Sequence, residues 1–208
     1  MKNRSYANRG MALEDCIIYS INNYQYNHEA AICKIPTEFK PLRNASGKVV
    51  SVKVEKKSTV DFIGRYKNIP VAFEAKNSNQ NRISLSEVQP HQEQFLDMWA
   101  EQPGAAAFVI VAFNQLQDFY RVPWLYWKTA LDLWRTVRGA KKYVKIGDLE
   151  PWPTPGKASL SPEELPDEWC IDSRNIYRLP FLEKLEEYCI QKTSTDILGY
   201  VDRMKTEK

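Results

Sequence analysis

The chain carries two kinds of hydrophobic pattern, one typical of helices and one typical of strands. Apolar residues recur every three or four positions from Met11 to about Tyr26, which predicts an amphipathic helix. The continuous apolar run Ala105–Phe113 has the length and character of a buried central strand. Strand patterns also cover Ala30–Pro36 and Lys48–Glu55. Because these patterns alternate along the chain, they predict an α/β domain in which helices cover a mixed β-sheet.

Two shorter apolar runs predict a β-hairpin that carries charged residues. The first run is Val60–Ile63, and the second ends at Glu74 and Lys76. The segment Gly64–Asn68 separates them and contains turn-forming residue types. Successive side chains of a strand point to opposite faces, so Glu74 and Lys76 share one face. The hairpin would bring Asp61 back beside Glu74.

The second half of the chain predicts further helices. One begins in the segment Ser86–Pro90, because proline is tolerated in a first helical turn. Its buried face is expected to consist of Phe95, Met98 and Trp99. Another helix is predicted from Pro123 to about Val137.

The distribution of prolines and polar residues predicts the domain organisation. Residues 1–150 are expected to form the main domain, with a protruding polar hairpin around 36–57. Five prolines between Pro151 and Pro166 predict a linker or wrapping segment. Residues 151–208 are therefore read as a proline-rich linker and a helical extension, Leu179–Met204, that packs on the core.

Charge and cysteine usage narrow the class of protein. The formal net charge is only +3, but seven basic residues against two acidic ones fall between Lys34 and Lys57. This segment, the basic arm, is either a solvated face or a surface that contacts phosphates. The four cysteines are scattered without a C-x-x-C pair, so neither a zinc site nor a disulfide framework is predicted. No signal peptide or membrane span is recognised, and a cytoplasmic protein is expected.

The residue types at Asp61, Glu74 and Lys76 predict metal-assisted chemistry. Two converging carboxylates repel each other unless a cation joins them. Mg²⁺ prefers oxygen ligands and is often held by one or two carboxylates together with substrate phosphate. A lysine on the same face stabilises charge that develops on the phosphate. The pattern alone leaves open the alternative of a surface salt bridge, which contributes at most about 1 kcal/mol.

Four motifs follow one another along the chain. They are SYANRGMALED (Ser5–Asp15), STVDFIG (Ser58–Gly64), FEAK (Phe73–Lys76) and HQ (His91 and Gln92). Their order and spacing resemble those of the RecU-type Holliday junction resolvases, which belong to the PD-(D/E)xK nuclease superfamily. This chain has Val60 where the name-giving proline would stand, and the resemblance covers roughly residues 5–137.

The resemblance implies a restriction-endonuclease-like core with a projecting β-hairpin stalk. It implies a homodimeric, Mg²⁺-dependent endonuclease, with Mn²⁺ as a substitute, that resolves four-way DNA junctions in homologous recombination and repair by phosphodiester hydrolysis. The implied metal ligands are Asp61 and Glu74, the implied catalytic residues also include Lys76 and Glu14, and the implied DNA contacts are Arg9 and Gln92.

The stalk is expected to bind DNA backbone at the open centre of the junction through Lys48, Lys53, Lys56 and Lys57. Two alternatives stay open at this point. One is another PD-(D/E)xK endonuclease, of phage or restriction type, that acts on duplex or flapped DNA. The other is a non-catalytic recombination factor that binds branched DNA. The sequence leaves undetermined a recombinase partner, the preferred cleavage site and a bacterial or phage origin.

Overall fold

The structure is a computed structural model that describes residues 6–36, 38–56, 59–113, 118–136, 156–175 and 178–188. The helices in these ranges are α1 (Tyr6–Tyr26), α2 (Pro90–Ala100), α3 (Trp124–Thr136) and α4 (Leu185–Tyr188). The strands are β1 (Ala30–Lys34), β2 (Glu38–Arg43), β3 (Val49–Lys56), β4 (Phe62–Tyr66), β5 (Ile69–Ser78), β6 (Ile83–Ser84), β7 (Ala106–Phe113), β8 (Asp118–Pro123), β9 (Ser159–Leu160) and β10 (Cys170–Ile171). Within these ranges, no helix combines the length and the apolar character needed to cross a lipid bilayer.

A six-stranded mixed sheet forms the centre of the protein. Its strand order is β1–β4–β5–β7–β8–β10. Strands β5 and β7 run parallel and are connected through α2, whereas the other neighbouring pairs are antiparallel. Every residue of β7 is buried, as expected for a central strand covered on both faces. The predicted α/β class and the mixed sheet flanked by helices are confirmed.

Helices cover both faces of this sheet and create two hydrophobic cores. On one face, α1 packs with the segment 179–185 against β4, β5 and β7. On the other face, α2 and α3 pack against the same strands and β8. Alternate residues of β5 therefore enter different cores, with Phe73 facing α1 and Ala72 facing α2 and α3.

An aromatic stack fixes the register of the three central strands. Phe62 lies opposite Phe73 in the antiparallel pair β4–β5, and Phe73 is aligned with Phe108 in the parallel pair β5–β7. The rings stack with centroids 4.9 and 4.8 Å apart and with interplanar angles of 11° and 8°. Each such contact is worth about 0.5–1.5 kcal/mol beyond the area that it buries. This register places Asp61, just before β4, beside Glu74.

The structure corrects the predicted position of the hairpin turn. Gly64 lies inside β4, and the tight turn is formed by Lys67 and Asn68, with Lys67 at a φ of 51°. Gly64 is needed for a different reason, because β1 passes very close to it. A Cβ at this position would collide with the carbonyl oxygen of Ala31 and lie 2.5 Å from the Cα of Ile32. The glycine permits close approach of a strand rather than a turn.

The predicted buried face of α2 is also partly wrong. Met98 is 52% exposed, whereas Phe95 and Trp99 are partly buried. The fully packed positions are Leu96 and Ala100, together with the polar Gln92. The helix is rotated so that a polar side chain, and not Met98, faces the sheet.

Strands β2 and β3 form a two-stranded sheet of their own, separate from the central one. The predicted turn at its tip is present, with Asn44 Oδ1 accepting hydrogen bonds from the backbone of Ser46 (3.1 Å) and Lys48 (2.9 Å). Val50 at the start of β3 is 61% exposed. This element corresponds to the predicted hairpin stalk.

The segments after residue 155 contribute to both cores of the central sheet. Strand β9 pairs with β6, and Arg82 Nε donates a hydrogen bond of 2.9 Å to Ser159 Oγ. Farther on, the buried Arg121 donates a 2.8 Å hydrogen bond to the carbonyl of Phe181. The last described helix begins at Leu185, not at Leu179. The predicted boundary near residue 150 and the tail from 189 to 208 lie outside the described residues.

Substitution of Gly64 by alanine should destabilise the fold by about 1–3 kcal/mol, as expected for overpacking against an immovable backbone. The added methyl group would force β1 away from β4. Urea unfolding monitored by circular dichroism measures the change. Ala31→Ser, at an exposed position on the facing strand, should change stability by no more than about 0.5 kcal/mol. Equal stability of wild type and Gly64→Ala would contradict the close approach of the two strands.

Candidate active site

Asp61 and Glu74 are held side by side by backbone hydrogen bonds. The Asp61 N–H donates to Glu74 Oε2 at 3.0 Å, and the Ala75 N–H donates to Asp61 Oδ2 at 2.9 Å. Each carboxylate is thus anchored to the backbone of the segment that carries the other one. The predicted pairing of Asp61 with Glu74 across the hairpin is confirmed as a spatial arrangement.

Two further side chains complete the cluster around Glu74 Oε1. Lys76 Nζ donates to this oxygen at 2.7 Å, and Gln92 Nε2 donates to it at 2.6 Å. Lys76 comes from the same face of β5, and Gln92 comes from the first turn of α2. Side chains from strand β5 and helix α2 therefore both donate to the same carboxylate oxygen.

The electrostatics of the cluster reflect the burial of a like-charged pair. Glu74 is only 1% exposed. Burial, reinforced by the negative charge of Asp61, raises the pKa of Glu74 to about 7, while Lys76 opposes the shift. The carboxylate pair therefore favours any additional positive charge that can reach it.

Glu14 makes its described contact with a residue outside this pair. Its carboxylate forms an ion pair with Lys34 of β1, and its helix packs on the face of the sheet opposite to α2. Among the described residues, no group of three His, Cys, Asp or Glu side chains is arranged to hold a metal ion. Asp61 and Glu74 thus stand as a pair, and the catalytic role of Glu14 stays a prediction.

The predicted DNA contacts lie in different parts of the chain. Arg9 lies in α1 and Lys53 and Lys56 lie in β3, but their side chains are outside the description. Lys48 is exposed at the tip of the β2–β3 hairpin, and Lys57 lies outside the described residues. These assignments stay predictions.

Gln92 differs from the others because its side chain is 7% exposed and points into the cluster. Sequence reasoning placed it on the helix after the catalytic strands without finding this contact. The available signal was the Gln89-x-x-Gln92 spacing, since Gln89 caps α2 and Gln92 is the third residue of the helix. Such a capping arrangement orients the amide of Gln92 from its own helix.

The sheet and the cluster define a class of protein. One carboxylate lies just before β4 and meets another on the antiparallel strand β5, and a lysine follows the second carboxylate by two residues, on a mixed sheet covered by helices. This is the nuclease-like α/β core that the motifs predicted.

The family profile described as recombination protein U matches residues 8–162, which is more than half of the chain. The chain belongs to the RecU family. The predicted family resemblance is confirmed.

Curated relatives in several bacteria support this assignment. The Holliday junction resolvase RecU of Streptococcus pneumoniae is 30% identical over 168 residues, which cover 77% of this chain and 81% of that protein. That of Listeria monocytogenes is 30% identical over 153 residues, covering 70% and 74%. That of Mycoplasmopsis pulmonis is 41% identical over 113 residues, covering 54% and 68%. The alignments to three further pneumococcal proteins span 63% of their length, slightly less than two thirds.

Proposed function

We propose that this protein is a Mg²⁺-dependent endonuclease that resolves four-way DNA junctions by phosphodiester hydrolysis during recombination and repair. The observation that carries the proposal is the cluster of Asp61, just before β4, with Glu74 and Lys76 on the paired strand β5. The relatives, named Holliday junction resolvases, support the choice of substrate. With DNA as its substrate, the enzyme would act in the bacterial cytoplasm.

The carboxylate pair suits a hard divalent cation. The ligand atoms that Asp61 and Glu74 offer are carboxylate oxygens, the type that Mg²⁺ prefers. With all groups ionised, the two carboxylates and Lys76 carry one net negative charge, which would become positive when a divalent cation binds. A second carboxylate beside the buried Glu74 is costly without such a partner. Asp61 and Glu74 would hold Mg²⁺, and Mn²⁺ would be a substitute.

The residues of the cluster would have different roles in hydrolysis. When bound, the cation supplies Lewis-acid polarisation of a phosphate oxygen. Asp61 and Glu74 are fixed by backbone N–H groups and so need no rearrangement to act. Lys76 is the partly exposed member, with 17% of its side chain accessible, and its ammonium would donate to the phosphate as negative charge develops there.

The β2–β3 hairpin and a dimer would provide selectivity for junctions. The hairpin forms a separate sheet with an exposed tip that includes Lys48. Basic side chains that contact the DNA backbone determine position rather than sequence. A homodimer would present two sites to two symmetry-related strands, as paired incision requires.

Incubation with a labelled four-way junction and a linear duplex, with and without Mg²⁺, tests the proposal. Wild-type protein should cleave the junction in preference to the duplex and only when Mg²⁺ is present.

Asp61→Asn or Glu74→Gln should abolish cleavage while leaving junction affinity unchanged or slightly higher. Each substitution removes a ligand charge for the metal and also relieves repulsion with DNA phosphate.

Asp172 supplies a matched control. It is exposed, it lies far from the cluster in the sequence, and it forms an ion pair with Arg174. Asp172→Asn should cleave at the wild-type rate. Cleavage of duplex and junction at equal rates would favour another PD-(D/E)xK endonuclease. Junction binding without any cleavage would favour a non-catalytic recombination factor.

Substitution of Lys76 by methionine should lower the single-turnover cleavage rate by roughly 100-fold or more, in line with loss of an electrostatic contact made in the transition state. Methionine keeps much of the side-chain length but removes the charge. Junction affinity, measured by fluorescence anisotropy in Ca²⁺, should change little. A loss confined to DNA affinity, with an unchanged chemical rate, would reassign Lys76 as a phosphate-binding residue.

Replacement of Lys48, Lys53, Lys56 and Lys57 by alanine should weaken junction binding more than duplex binding. It should also flatten the dependence of binding on salt, because each lost phosphate contact removes roughly 0.9 from the log–log slope for duplex DNA. Titrations of both DNAs at several salt concentrations measure these changes. The same four positions changed to arginine keep the charge and serve as the control. Equal losses on both DNAs would make the hairpin a general phosphate-binding surface.

A further inference from the structure

Gln92 occupies an unusual place for a polar side chain. It lies in the first turn of α2 and is buried against β5, where Nε2 donates a 2.6 Å hydrogen bond to Glu74 Oε1. A hydrogen bond to a charged group is stronger than one between neutral groups, and a buried amide without partners is costly. Its contact with Glu74 is therefore an energetically significant part of the cluster.

The orientation of this amide is set from the opposite side. The backbone N–H of Gln89 donates to Gln92 Oε1 at 2.9 Å, and Lys76 Nζ approaches the same oxygen at 3.4 Å. Because two donors face Oε1, the amide nitrogen is directed at the carboxylate. The N-terminus of α2 thus presents a fixed N–H donor to Glu74.

Glu74 Oε1 consequently has two donors of different character. Lys76 is a flexible side chain that reaches the surface, whereas Gln92 is short, buried and capped by its own helix. A substrate phosphate competes with Glu74 for the Lys76 ammonium but has no comparable access to Gln92. One donor is partly exposed, and the other is buried.

We infer that Gln92 is a positioning residue that keeps Glu74 hydrogen-bonded and oriented when Lys76 turns toward a DNA phosphate. Without Gln92, departure of the ammonium would leave Glu74 Oε1 without a donor in the buried cluster. The carboxylate would then be free to rotate, and the ligand geometry would be lost. The part played by the phosphate rests on the proposed function, but the support of Glu74 by two alternative donors does not.

Mn²⁺ binding to the DNA-free protein, measured by electron paramagnetic resonance, tests this support without any cleavage. Gln92→Met, Lys76→Met and the double variant form a double-mutant cycle. Gln92→Met should lower Mn²⁺ affinity about 10-fold, the lower end of the range for outer-shell partners of metal ligands. The double variant should lose roughly threefold or more beyond the product of the single effects, because Oε1 then has neither donor.

Additive effects, or an unchanged Mn²⁺ affinity in Gln92→Met, would overturn the inference. Gln92→Ala provides a second variant, and thermal unfolding of each variant shows that the fold is retained. Gln94→Ala, at an exposed position on the same helix, should bind Mn²⁺ like the wild type.

Single-turnover cleavage separates positioning from DNA contact. Gln92→Met should cleave the junction about 10- to 100-fold more slowly at saturating Mg²⁺, with junction affinity unchanged. Loss of junction affinity with normal Mn²⁺ binding would instead make Gln92 a DNA contact and overturn the inference. If the double-mutant cycle gave the expected coupling in Mn²⁺ binding but the wild type cleaved no junction, the proposed function would fail. The positioning role of Gln92 would still stand.

Discussion

The close pairing of two carboxylates in a largely buried position is the constraint on which this structure depends. An uncompensated buried charge costs several kcal/mol, and the repulsion between Asp61 and Glu74 adds to that cost. Four donors offset it, namely the backbone N–H groups of Asp61 and Ala75 and the side chains of Lys76 and Gln92. None of them can act unless β4, β5 and α2 are held in one register. The cluster therefore needs a rigid sheet, and it does not itself supply that rigidity.

That rigidity comes from packing on the opposite face. The Phe62–Phe73–Phe108 stack lies under the site and aligns the three central strands. A slip of one residue between β4 and β5 would separate Asp61 from Glu74 and would also turn Phe62 out of its core. The apolar contacts and the polar cluster thus require the same register. The hydrophobic face stabilises the strand register, and this register places the carboxylates together on the polar face.

Features of the fold and the site that depend on contacts between residues close in sequence could be predicted. Features that depend on contacts between distant segments could not. The period of two along β5 and the hairpin after Asp61 are local, so the grouping of Asp61, Glu74 and Lys76 followed from them. The role of Gly64 did not, because the steric demand comes from β1, about thirty residues earlier. Met98 was misplaced because periodicity ranks apolar residues as buried, whereas α2 turns Gln92 to the sheet. A polar residue that is buried for its contacts has no hydropathy signal.

Helix α2 links the stability of the fold to the chemistry of the site. It connects the parallel strands β5 and β7, and its Leu96 and Ala100 pack into the core while Gln92 contacts Glu74. The same helix also holds α3, since Asp97 accepts a 2.8 Å hydrogen bond from Trp124 and Glu93 pairs with Arg135. A shift of α2 along the sheet would therefore move Gln92 relative to Glu74. Changes on the α2–α3 interface, far from any phosphate, would act on the carboxylate pair through this one helix.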